Sequence, residues 1–200
     1  MTVRGKLAAF GVVLTVILNM EDLVTPSVGL PLLLVAVLLA WRFTEGFWKT
    51  VAFGLVGGVI AGALIMGPGL RLAMRVVAIM EPTRTPEFSV GGTLFIIIGI
   101  GAIFGGVFAM AANLIRRAIP ITSSIAAGVG LSVLVMTMLL IEADLRAEFT
   151  DLGAGPWVNI PMFAIFVFGY GIAAMAIADY MEKQAASRAS DVVETEKVPA

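Results

Sequence analysis

Arg71 and Arg75 stand four residues apart in the segment GPGLRLAMRVVAIMEPTRTPEFSVGGT, which runs from Gly67 to Thr93 between two long apolar stretches. Four residues is close to one helical turn, so both guanidinium groups fall on one face of a helix. Planar guanidinium forks bind carboxylates or phosphate oxyanions. Two chemistries fit. In one, Arg71, Arg75 and the SVGG turn before the next helix hold a lipid headgroup phosphate or a small anion, since free N–H groups and the helix dipole favour negative charge there. In the other, the arginines pair with Glu21, Asp22, Glu142 and Asp144, all near the ends of other apolar runs, while Arg84 lies close in sequence to Glu87. That set would pin the outer loops to the bundle. The sequence leaves both open.

Catalysis has less to work with. The chain has no His and no Cys, which removes the commonest general base, the commonest metal ligand and every thiol nucleophile. With no HExxH pattern and no paired carboxylates inside an apolar run, we expect no enzyme activity, no metal and no cofactor. A nucleic-acid partner is not expected either, because Lys and Arg form no basic cluster.

The elements that must position the arginines follow from composition. Of 200 residues, 60% are hydrophobic and 14% charged, with a mean hydropathy of +1.02. A soluble domain carries about 25% charged residues, so lipid is the expected solvent. Six apolar runs occur, near Leu7–Met20, Val28–Phe43, Thr50–Met66, Thr93–Ile115, Ile121–Ile141 and Ile160–Tyr180. The last three match the ~20 residues a helix needs to cross a bilayer; the first two are short. Arg4 and Lys6 before the first run resemble a signal peptide, but no small-x-small cleavage pattern follows, so this run reads as an uncleaved membrane helix. The fold class expected is all-α, a polytopic membrane protein with six transmembrane helices. Residues 1–184 form the membrane domain, and residues 185–200, polar and low in bulky apolar side chains, form a disordered cytoplasmic tail.

Orientation comes from Lys and Arg. With the N-terminus inside, Arg4, Lys6, Arg42, Lys49, Arg116, Arg117, Lys183, Arg188 and Lys197 are inside, against Arg71, Arg75, Arg84 and Arg146 outside. This bias predicts N-in and C-in topology. A single helix from Lys49 to Met80 would overshoot the hydrocarbon, and an Arg at mid-membrane costs ~2.5–3.5 kcal/mol. The sequence therefore predicts a helix end at Gly67 and a short interfacial helix from Leu70 to Met80, with Ser89 or Thr93 capping the next span. A second interfacial helix is expected in EADLRAEFTDLGAGPW, where Leu145, Phe149 and Leu152 recur at helical spacing.

Small residues at four-residue spacing mark faces where backbones can approach closely. They are Gly54, Gly58 and Gly62, then Gly101, Gly105 and Ala109, then Ser124, Gly128 and Ser132. They fit packing within one bundle, or a subunit interface or solute path. Asn113 reads as an interhelical hydrogen bond, and Asp179 with Lys183 as a solvated pair. Together these features point to a structural or accessory subunit that packs with itself, as a homo-oligomer, or with a membrane partner, in contact with membrane lipids. The alternative is a small channel or transporter for an uncharged or anionic solute.

The stretch GLRLAMRVVA followed by PEFSVGGTLFIIIGIGAIFGG, from Leu70 to about Gly106, resembles a group of uncharacterised bacterial multi-pass membrane proteins. These share an M-R element, a short polar loop and an S/T-x-G-G-T start to a glycine-rich helix. The resemblance implies a bacterial inner-membrane protein and supplies no activity.

Overall fold

The computed structural model describes residues 46–81, 89–118, 121, 123–141 and 155–196. Among them the chain is all-helical, with four helices long and apolar enough to cross a membrane: α1 (Phe47–Met80), α2 (Val90–Arg117), α3 (Ser124–Ile141) and α4 (Pro156–Glu196). They contain the last four apolar runs. The runs Leu7–Met20 and Val28–Phe43 lie outside the described residues, as does the second expected interfacial helix.

Helix α1 does not end at Gly67. It passes from an α-helical stretch, Phe47–Ala61, through a π-helical turn, Gly62–Met66, into a second α-helical stretch, Gly67–Met80. The sequence places a separate short helix from Leu70, but the same residues continue α1. Two causes combine. Pro68 has no N–H and its ring would crowd the carbonyl one turn back; the turn just before it is widened, with the Gly67 N–H bonding to Gly62 O. The buried positions Gly54, Gly58, Gly62, Met66 and Leu70 also recur every four residues. On a pure α-helix each such step overshoots a full turn by about 40°. The π turn takes up more residues per turn and keeps the stripe on one side.

The length of α1 is not in conflict with a bilayer. Thr50 on α1 is tied to Asn113 on α2, and Arg71 to Thr93. Between these ties each helix advances about 30 Å at 1.5 Å per residue, the thickness of the hydrocarbon core. No charged residue falls between them on either helix. The turns of α1 beyond Arg71 therefore lie past the apolar span, which removes the need for a break.

Ser89, not Thr93, caps α2. Its extended backbone and its Oγ, which accepts from Gly92 N at 3.2 Å, fit the N-cap role. Helix α4 differs from expectation at its far end: it stays helical through Glu196, across residues read as a disordered tail. The stretch MEKQAASRAS holds mostly good helix formers and neither Gly nor Pro, so nothing local stops a helix already nucleated in the membrane.

The glycines decide how closely the helices pack. A Cβ at Gly62 would lie 1.8 Å from Gly101 O, one at Gly58 2.4 Å from Gly105 O, and one at Gly54 2.8 Å from Met110 Cα. Thus α1 and α2 meet backbone to backbone. The same holds for Gly57 against Ala174 O at 2.6 Å and Gly128 against Ile172 Cα at 2.6 Å, which join α1 to α4 and α3 to α4. Phe163, Val167, Tyr170, Ala174 and Ala178 of α4 follow helical spacing and fill the centre with Leu70, Ala73 and Val77 of α1. Tyr170 is fully buried, and its hydroxyl donates to Gly105 O at the junction of the π-helical stretch Phe95–Phe104 with Gly105–Ala118. Tyr170→Phe is expected to cost about 1 kcal/mol, the usual net worth of a buried hydrogen bond, read as an earlier unfolding midpoint in denaturing detergent.

Candidate functional site

Polar chemistry collects at the two ends of the bundle. At one end, Arg71 projects from α1 toward the start of α2, where its Nε donates to Thr93 Oγ1 at 3.1 Å. Thr93 Oγ1 in turn donates to Ser89 O at 2.8 Å. The guanidinium is thus held beside the SVGGT helix start by a hydroxyl relay. Arg71 is half-buried and Arg75 exposed. Leu70, Ala73 and Val77 face the core, while Leu72 and Ile79 are exposed. Arg84, Glu142, Asp144, Glu21 and Asp22 lie outside the described residues.

The opposite end carries a denser network. Arg116 and Arg117 end α2, and Asp179, Glu182 and Lys183 lie on one side of α4. Arg116 pairs with Asp179, which also receives Lys183 Nζ at 2.7 Å. Arg117 pairs with Glu182 at 3.1 Å. Asn113, fully buried, donates to Thr50 O at 3.0 Å and to Glu182 Oε1 at 3.1 Å. One amide therefore ties α1, α2 and α4 together. Arg116 and Asp179 are only 12% and 16% exposed, whereas Lys183 is 77% exposed. Two buried atoms, Asn113 Oδ1 and Arg116 Nη1, have no hydrogen-bond partner among the described residues.

No family model, curated protein or solved structure matches this chain. The chemistry of the site therefore rests on its geometry alone. In the sequence, Asp179 and Lys183 read as a solvated pair; the structure adds Arg116 and buries most of the Asp179 side chain. Glu182 escaped notice, and Arg116 and Arg117 counted only toward orientation. A signal was present: two adjacent cations end one span and two anions, three residues apart, end another at the same side of the membrane. Asn113 does bridge helices, as its place in an apolar run suggests.

The glycines named from the sequence fall on packed faces. Gly54, Gly58 and Gly62 approach α2, Gly101 and Gly105 approach α1, and Gly128 approaches α4. Between the two polar ends these contacts close the seams between α1 and α2, α1 and α4, and α3 and α4. What the arrangement can do chemically is hold charge at its ends, where guanidinium and ammonium groups are fixed by their neighbours. Trp48 and Tyr180 are exposed at the densely charged end and Trp157 at the other, where amphipathic rings settle at a membrane interface.

Proposed function

We propose that this chain is a non-enzymatic subunit of a bacterial inner membrane, with its densely charged end in the cytoplasm, that packs with copies of itself or with a membrane partner. The observation that supports this reading is the α1–α2 seam: about 30 Å of helix with no charged group and backbones too close for a Cβ. Such a seam has no group to bind and release a proton or an ion, and no width for a solute. The orientation rests on Lys49, Arg116, Arg117, Lys183 and Arg188 at one end against Arg71 and Arg75 at the other. At the Arg71 end, a guanidinium fixed beside a capped helix start favours a lipid phosphate or small anion.

The test combines mass and flux. Purified protein in mild detergent is expected to have the mass of a multimer or of a complex with a partner. Reconstituted vesicles are expected to show no flux of glycerol or halide above protein-free vesicles. A monomer that conducts either solute would replace this reading with that of a small channel.

A further inference from the structure

The charged network between the ends of α2 and α4 has a charge count that does not close. Among the described residues, three cations, Arg116, Arg117 and Lys183, face two carboxylates, Asp179 and Glu182. Lys49, exposed in the first turn of α1 one residue from Thr50, adds a further positive charge at this end. Both acids and Arg116 are mostly buried, with side-chain exposures of 12–17%; the buried groups are thus one cation and two anions, and the excess positive charge falls on Arg117 and Lys183 at the rim. The accessible members are Arg117, 37% exposed, and Lys183. Each is held by a carboxylate of α4, three residues apart, and each keeps further donors free for a second acceptor.

We infer that Arg117 and Lys183 form a binding site for the phosphate of an anionic phospholipid headgroup in the leaflet at this end of the bundle. A phosphodiester brings one negative charge, which closes the count, and acceptor oxygens suited to a guanidinium and an ammonium. A lipid rather than a soluble ligand follows from depth. Tyr180 directly follows Asp179, and Trp48 precedes Thr50 by one turn or less; both rings are exposed at the level where headgroups meet acyl chains. Basic residues at such a surface gain from anionic lipid. The buried Arg116–Asp179 pair acts as a positioning element: Asp179 holds Lys183, and Arg116 prevents Asp179 from neutralising it fully. This site is separate from the one proposed at Arg71 and stands or falls independently of it.

The experiment measures thermal stability of the full chain in vesicles of phosphatidylcholine, with and without a quarter of the lipid replaced by phosphatidylglycerol. Four proteins are compared: the parent, Arg71→Ala, the double variant Arg117→Gln with Lys183→Gln, and the combination of all three. The parent is expected to melt several degrees higher with the anionic lipid. The double variant is expected to lose at least half of that increment, measured for each protein against its own melting point in phosphatidylcholine alone. Arg71→Ala isolates the other end, so loss of the increment there alone would assign it to the Arg71 site and overturn this one. An increment retained in the double variant overturns the proposal as well. So does an equal increment from inorganic phosphate added to phosphatidylcholine vesicles, which would assign the site to free anion.

Discussion

Gly62→Leu is expected to lower stability by about 3 kcal/mol, near the upper end of what overpacking costs, and to disturb the α1–α2 contact in particular. The nearest atom to a new Cβ at Gly62 would be the Gly101 carbonyl oxygen at 1.8 Å, followed by Gly101 C at 2.7 Å. Both are backbone, so no side chain can swing aside; α1 and α2 must separate. Gly58→Leu meets Gly105 O at 2.4 Å and is expected to behave similarly. Gly130 provides the contrast, with nothing within 4 Å of its would-be Cβ. Gly130→Leu should leave stability unchanged or slightly raised, because leucine is the better helix former. Unfolding midpoints of the three variants in one detergent mixture decide the matter. If Gly62→Leu and Gly130→Leu unfold alike, the seam is not where the two helices are held.

The second large effect is expected at the buried ion pair. Asp179→Ala should cost about 3 kcal/mol, because it strands Arg116 in a site with little water, and Lys183 loses its partner too. The remedy is as informative as the damage. Arg116→Met combined with Asp179→Leu removes both charges and restores apolar volume. It is expected to recover most of the loss, since an ion pair in such a setting often does no better than well-packed apolar groups. A double variant as unstable as Asp179→Ala alone would mean that the network works through geometry, through Asn113 and Glu182, and not through charge. Chemical unfolding of the parent, Arg116→Met, Asp179→Leu and their combination gives the coupling directly.

The all-helical class and four of the six expected apolar helices were readable from composition and run length, since few soluble folds could hide this much apolar surface; the other two runs lie outside the described residues. The start of α2 was readable too, because Ser89 precedes an apolar run at the spacing an N-cap needs. The continuity of α1 was not. Gly67 and Pro68 are local stop signals, and they yielded to a π turn that only the packing of Gly62 against Gly101 makes worthwhile. Length misled in the same place, because the relevant span ends at Arg71 and not at Met80. The charged network was legible only in part. Arg116 and Asp179 are 63 residues apart, and no local pattern reports which helix ends meet. Of the acids weighed as partners for Arg71 and Arg75, all lie outside the described residues; Arg71 itself rests on Thr93, a neutral hydroxyl that a search for opposite charge passes over.

The glycine contacts also bear on how the chain assembles. The α1–α2 seam joins consecutive helices, and so does the α3–α4 seam at Gly128 and Gly171. By contrast, the contact of Gly57 with Ala174 links segments more than a hundred residues apart in sequence. Local contacts close with little entropy lost, and distant ones wait for the chain between them. During synthesis the α1–α2 hairpin can zip as soon as α2 has entered the bilayer, before α4 exists. The α3–α4 hairpin is then expected to form as a second unit, with the docking of the two, in which Asn113 and Arg116 meet Glu182 and Asp179, coming last. The charged network is thus a record of completed assembly: among the described residues, the acid that Arg116 pairs with, Asp179, belongs to α4 and arrives last.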